Sequence, residues 1–202
     1  MQEPPIWIAM WSGPRNISTA MMRSFGARAD TAVIDEPFYA AYLAQAGLVH
    51  PMREEVIASQ PNDWRDVVNP TAVLASYAAK RGEVTLADIG IVQQRELFEH
   101  EADRLGRAPP VVEGSDILAA PARVLAKLCG ALGIAYDDAM LHWPAGRRDS
   151  DGVWAPAWYD AVERSTGFEA QAIRAAATLG SDLQRIADLA RPHYEALARR
   201  KL

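Results

Sequence analysis

The sequence predicts an α/β fold, a single domain in which a mostly parallel sheet carries helices on both faces. Three short runs have the length and apolar content of buried strands: Ile6–Trp11, Thr31–Asp35 and residues 109–114. Amphipathic helical patterns separate them, and this alternation is typical of a three-layer parallel sheet. In that architecture the ligand site lies at the carboxyl ends of the strands, here residues 12–19, 35–39 and 114–116.

The helices are predicted from apolar spacing and from the residues that begin and end them. The run Pro121–Leu132 has proline at its first position and Gly133 just past its end. Cys129 shares the apolar face of this helix, which predicts a buried thiol rather than a nucleophile. The other predicted helices cover residues 38–45, 70–81 and about 85–105, and a helical tail runs from about 169 to 202.

Composition limits the classes of function. Half of the 202 residues are hydrophobic and 23% are charged, as in a globular protein. The net charge of −5 argues against nucleic acid and anionic membranes as partners. The four histidines show no metal-ligand spacing, so no metal site is predicted. Because the chain has no apolar run of about 18 residues and no basic leader, we expect a cytoplasmic protein.

The turn between the first predicted strand and its helix has the composition of an anion site. Backbone N–H groups and the positive end of the helix dipole converge at such a turn. A guanidinium fits oxyanions, and hydroxyls add donors. The alternative is an ordinary strand–helix turn in which Asn16 is only a helix cap. The polar content favours the anion site, whose predicted residues are Gly13, Pro14, Arg15, Asn16, Ser18 and Thr19.

This turn resembles a known phosphosulfate loop. It lacks the second glycine and the lysine of the G-x-x-x-x-G-K-[ST] nucleotide loop. The run Pro14–Thr19 instead resembles the loop Pro-Lys-Ser-Gly-Thr-Thr of the P-loop sulfotransferases, with Ile17 at the family's glycine position. Gly-Pro-Arg-Asn-Ile-Ser-Thr together with Asp-Glu-Pro-Phe-Tyr is similar to a bacterial branch of that family. The resemblance implies a P-loop nucleoside triphosphate hydrolase-like fold and 3′-phosphoadenosine 5′-phosphosulfate as co-substrate, without a metal.

The resemblance also implies contacts with the 3′-phosphate of the nucleotide. Ser76, in an Asn-Pro helix, matches the family's phosphate-binding serine, although by pattern alone it is a mid-helix serine bonded to its own backbone. The loop with Gly146, Arg147 and Arg148 resembles the glycine-rich loop that closes over the nucleotide. A surface turn with solvated arginines explains that loop equally well.

Two residues are predicted to take part in catalysis. Arg15 would stabilise the leaving phosphate. Glu36 follows the second predicted strand and is predicted to accept a proton or to fix the acceptor. It could equally pair with Arg15, or be a turn carboxylate before Pro37.

One interval of the chain does not fit the resemblance. Between Pro37 and Pro109 no convincing strand occurs, and Asp66-Val67-Val68 stands where the family has a long stretch with one or two strands. We expect several tens of residues to be missing between about Asp66 and Asn69, as a deletion or as an unobserved segment. The resemblance assigns to that stretch the usual base and the arginine that holds the 3′-phosphate.

The sequence is therefore interpreted as a sulfotransferase acting on a small-molecule hydroxyl or amine. A homodimer is compatible with it. One alternative is a P-loop small-molecule kinase or nucleotide hydrolase, which would depend on Mg-ATP. Another is a non-catalytic nucleotide-binding protein, favoured if residues 66–69 are continuous.

Overall fold

The computed structural model describes residues 4–13, 16–46, 51–60, 86, 90–169 and 181–202. Three predictions therefore lie outside the described residues. These are the conformation of Pro14 and Arg15, the helix at 70–81 with Ser76, and the chain geometry across residues 66–69.

Helices supply most of the regular structure in these residues. Their bounds are α1 Ser18–Gly26, α2 Tyr39–Ala46, α3 Arg53–Ser59, α4 Ile91–Leu105, α5 Gly114–Ala119, α6 Pro121–Leu132, the 3₁₀ helix η1 Asp138–Leu141, α7 Ala155–Trp158, α8 Asp160–Arg164 and α9 Ser181–Ala198. Helix α2 packs on α3, α4 on α9, and α5 on α6. None of the helices described has the length and hydropathy to cross a membrane.

The helix predictions that fall on described residues are largely confirmed. Helix α6 has the predicted bounds, with Pro121 in its first turn. Gly133 follows it with φ 74°, where its N–H and that of Ile134 bond to carbonyls of the last turn. Helix α2 matches the prediction at 38–45 to within a residue. Helix α4 ends at Leu105 as predicted but begins at Ile91, later than expected.

The predicted three-layer parallel sheet is wrong. Within the described residues, β-structure is limited to a parallel bridge between Val111 and Lys201 and an antiparallel bridge between His142 and Gly167. Strands are stabilised by hydrogen bonds to a neighbouring strand, and residues 6–11 and 31–35 form no such ladder with a described segment. Trp7 is 75% exposed, so this run does not enter the core as a buried strand would.

The described residues bury two hydrophobic clusters. The first, formed by α1, α2, α3 and the start of α7, includes Met22, Leu43, Val56, Trp154 and Tyr159. Within it, the rings of Tyr39 and Trp154 meet edge to face at 5.0 Å. The second, formed by α1, α5, α6 and η1, includes Met21, Ile117, Leu125, Cys129 and Met140.

Helix α1 lies between the two clusters. Four consecutive residues, from Met21 to Ser24, are buried, and four residues cover more than a full turn of helix. Ser24 Oγ donates to the Met140 carbonyl at 2.7 Å, which fixes α1 against η1. The side of α1 that carries Met21 therefore packs on one cluster while Met22 packs on the other.

Cys129 is fully buried in the second cluster, as predicted. Burial is the main cause that raises the pKa of its thiol above the usual value. A buried thiol with a raised pKa is a poor nucleophile, so Cys129 is a core residue.

Candidate functional site

The turn that leads into α1 brings polar groups to the start of a helix. Gly13 is buried, and Ser18 and Thr19, which open α1, are half-buried. The first N–H groups of a helix have no acceptor within it. Ile17, rather than Asn16, occupies the N-cap position of α1, and its side chain makes no capping hydrogen bond. The structure therefore contradicts the alternative in which Asn16 is only the helix cap.

Ile17 adopts a backbone conformation that suits glycine. Its φ is 51° and its ψ is 16°, in the left-handed region. A β-branched residue is strained there because its Cβ approaches the backbone. Ile17 also packs against the second cluster. The position at which the sequence departs from the family's loop is thus a left-handed turn, with an isoleucine in it.

The strain at Ile17 can be measured with a pair of variants. Ile17→Gly and Ile17→Ala both remove the apolar contacts of the side chain, but only glycine adopts a positive φ at little cost. We expect Ile17→Gly to be more stable than Ile17→Ala by about 1 kcal/mol, measured by urea unfolding. A greater stability of the alanine variant, the usual order within helices, would contradict the left-handed turn.

The turn before α1 meets the start of α5. A methyl group added to Gly114 would lie 3.5 Å from Ile17 Cγ1 and 4.0 Å from Asn16 Oδ1. The two segments therefore lie close together at Gly114, with room for about one methyl group between them. Of the predicted convergence of residues 12–19, 35–39 and 114–116, the structure shows the approach of residues 16–17 to Gly114, without the sheet that motivated the prediction.

Asp35 is held by a network of donors from the segment around α7. Its carboxylate accepts from the Tyr159 hydroxyl at 2.7 Å and from the Gly152 N–H at 3.0 Å. Trp154 Nε1 donates in turn to the Tyr159 oxygen at 3.1 Å. Burial is the largest influence on Asp35 and raises its pKa, although these hydrogen bonds oppose it. The network fixes the segment that carries Glu36.

Glu36 combines a strained backbone with a perturbed carboxyl group. Its φ is 35°, and its carbonyl accepts from the Tyr39 N–H at 3.0 Å and from Gln60 Nε2 at 3.2 Å. Loss of hydration, followed by the nearby charge of Asp35, raises the pKa of the Glu36 carboxyl to about 7. The residue as a whole is nevertheless exposed, so solvent moderates this shift. Strain and a shifted pKa at an accessible group are typical of functional sites.

A buried ion pair links α1 to the loop that precedes α7. Arg23 Nη2 and Asp151 Oδ2 are 2.6 Å apart, and the two side chains are 2% and 0% exposed. The Arg148 N–H donates to the same oxygen at 2.8 Å. Arg23 Nε and Nη1 and Asp151 Oδ1 have no hydrogen-bond partner among the described residues. Neither member of this pair is predicted from the sequence.

The predicted nucleotide-closing loop therefore lies against α1. Gly146 donates its N–H to the Glu163 carbonyl, 2.6 Å away. Arg148 donates to the Pro144 carbonyl of its own loop. Arg147 is exposed. The loop is thus held by hydrogen bonds to Asp151 and Glu163.

No metal centre can be built from the described part of the chain, because no three His, Cys, Asp or Glu side chains in it come close enough to hold an ion.

The sequence matches the model of a sulfotransferase domain in two parts, residues 6–69 and 65–201, which together span nearly all of it. The chain belongs to this sulfotransferase family. The family resemblance stated from the sequence is thereby confirmed. The turn before α1 and Glu36 lie in the first matched part, and the segments around Gly114 and Asp151 lie in the second.

Two curated plant proteins are similar to this sulfotransferase domain. One is "branched-chain-amino-acid aminotransferase-like protein 1" of Arabidopsis thaliana, 30% identical over 209 residues that cover 83% of this chain and 37% of the relative. The other is "branched-chain-amino-acid aminotransferase-like protein 2" of the same plant, 28% identical over 202 residues, covering 80% and 36%. The chain thus spans little more than a third of the length of these relatives. No solved structure matches it.

Proposed function

We propose that this sulfotransferase domain, acting in the cytoplasm, transfers a sulfuryl group from 3′-phosphoadenosine 5′-phosphosulfate to the hydroxyl or amine of a small molecule. The family match carries this proposal. The geometry that supports it is the start of α1, where Ser18 and Thr19 open the helix, since the N-terminus of a helix favours bound anions.

The donor would be held at two places. Gly13, Pro14, Arg15, Asn16, Ser18 and Thr19 are assigned to its 5′-phosphosulfate end, with Arg15 supplying positive charge to the leaving phosphate. Ser76, Gly146, Arg147 and Arg148 are assigned to its 3′-phosphate. For the second group, the described contacts favour Arg147, which is exposed, over Arg148, which already donates to Pro144.

The proposed reaction needs a proton acceptor and a stabilised leaving group. The acceptor oxygen or nitrogen forms a bond to sulfur while the bond from sulfur to the bridging phosphate oxygen breaks. The acceptor's proton moves to the Glu36 carboxylate, and 3′,5′-adenosine bisphosphate leaves with the electron pair of the broken bond. A base whose pKa lies near neutrality is suited to this step, and loss of hydration together with the charge of Asp35 raises the pKa of Glu36 to about 7.

The pH dependence of turnover tests the role of Glu36. A base must be unprotonated to act, so kcat is expected to rise about tenfold per pH unit below about 7 and to level off above it. Glu36→Gln should lower kcat by about 10²- to 10⁴-fold. The control Glu55→Gln removes an exposed carboxylate from α3 and should leave both rate and pH profile unchanged. Wild-type activity in Glu36→Gln would contradict the assignment.

Ligand binding separates the sulfotransferase from the kinase or hydrolase alternative. We expect 3′,5′-adenosine bisphosphate to raise the thermal stability of the chain and Mg-ATP to have little effect. Stabilisation by Mg-ATP alone would overturn the proposal.

A non-catalytic nucleotide-binding protein is a second candidate, favoured by one observation. The alignment with the first relative has 209 positions, but only 83% of the 202 residues of this chain, about 168 residues, take part in it. About 41 positions, 209 less 168, thus have no counterpart here. The two matched parts also meet at residues 65–69, where we expect a missing segment. Bisphosphate binding without release of bisphosphate from the donor, across hydroxyl and amine acceptors, would support this candidate.

A further inference from the structure

Two side chains near the end of the sequence contact the carboxylates at the start of α5. Lys201 Nζ lies 2.8 Å from Asp116 Oδ2 and 3.4 Å from Glu113 Oε2. Tyr194, on α9, donates its hydroxyl to Glu113 Oε1 at 2.7 Å. Both carboxylates therefore have partners that are 81 or more residues away in the sequence.

The main chain of the segment before α5 also contacts residues 201–202. Val111 and Lys201 form a parallel bridge, and the Leu202 N–H donates to the Val111 carbonyl at 3.0 Å. The segment before α5 is thus attached to residues 201–202 through main chain as well as side chains.

The same segment lies near the turn proposed to bind the donor. Gly114 lies between Glu113 and Asp116 in the sequence, and a methyl group added to it would lie 3.5 Å from Ile17 Cγ1 and 4.0 Å from Asn16 Oδ1. Two carboxylates thus flank, in the sequence, the residue that lies next to this turn. Negative charges near the turn would repel a phosphosulfate unless a cation offsets them.

We propose that Lys201, assisted by Tyr194, is a positioning residue that offsets part of the negative charge of Glu113 and Asp116 and so favours the binding of an anion at the turn before α1. This inference rests on the proposed function. The contacts support it, since the ammonium of Lys201 offsets one of the two negative charges and the Tyr194 hydroxyl donates to a further carboxylate oxygen. Lys201 is 39% exposed, so its influence is that of a partly solvated charge and depends on salt.

The test compares the affinity for 3′,5′-adenosine bisphosphate among variants of the full chain. Lys201→Met keeps the apolar stem and removes the charge, and we expect a dissociation constant about three- to fivefold higher at low salt. The loss should shrink at high salt. Arg200→Ala is the matched control, because it removes an adjacent exposed cation that has no ion pair with a described residue.

A second substitution distinguishes a charge effect of Lys201 from a purely structural role in holding residues 201–202 to the segment before α5. In the Lys201→Met background, Asp116→Asn should recover most of the lost affinity, because it removes the carboxylate that was left uncovered. A loss that this substitution does not recover would overturn the proposal, as would an affinity in Lys201→Met equal to that of Arg200→Ala. If the unaltered chain fails to bind the bisphosphate, the proposed function itself fails, which is a different result.

Discussion

Asp151→Ala is expected to lower the free energy of unfolding by about 3–5 kcal/mol. The substitution leaves the guanidinium of Arg23 buried without its counter-charge, in a side chain only 2% exposed. The Arg148 N–H loses its acceptor at the same time. Urea unfolding measures the loss, and the exposed neighbour Asp149→Ala is the control.

Removing both charges should cost far less than removing one. Arg23 Nε and Nη1 lack partners among the described residues, so the pair recovers only part of the hydration that it gave up. We therefore expect the double variant Arg23→Met with Asp151→Ala to be at least about 2 kcal/mol more stable than Asp151→Ala. This comparison remains decisive if Asp151→Ala does not fold. If the losses in unfolding free energy of the two single substitutions simply added in the double variant, the two side chains would not stabilise each other.

Arg15→Ala is expected to abolish stabilisation by 3′,5′-adenosine bisphosphate. At a ligand concentration about 100-fold above the dissociation constant, a specific ligand raises the free energy of unfolding by about 2.7 kcal/mol. Without the guanidinium, the turn keeps its N–H groups and hydroxyls but loses the one cation assigned to the phosphosulfate. Thermal unfolding with and without ligand measures the difference.

Arg107→Ala is the matched control for Arg15→Ala, because it removes an equal charge from an exposed position just after α4. It should keep the full response to the ligand. An equal response in Arg15→Ala would show that the bisphosphate binds elsewhere.

The bounds of the helices could be predicted well because they depend on residues that are close together in the sequence. The bounds of α6 follow from Pro121 at its start and Gly133 after its end, and both signals act within a few residues. The burial of Cys129 follows from its place on the apolar face of the same helix. The close approach of the turn before α1 to Gly114 was also expected, although from a fold that the structure does not show.

Non-local pairing accounts for what the sequence could not predict. The composition of residues 6–11 suits a strand, but a strand needs a partner, and pairing is not encoded in the segment itself. The Arg23–Asp151 contact joins residues 128 positions apart, and an arginine after Met21 and Met22 gives no sign of its partner. The left-handed turn at Ile17 could not be predicted either, because isoleucine disfavours it.

The position of α1 between two hydrophobic clusters has a consequence for how the molecule opens. Local unfolding of either cluster alone still leaves α1 covered on one side by Met21 or Met22 and their neighbours. The buried amide protons of α1 can exchange freely only when both clusters have separated from the helix. We therefore expect slow hydrogen exchange in α1. A ligand held at the first turn of that helix would then slow hydrogen exchange in α2 and in α6 alike.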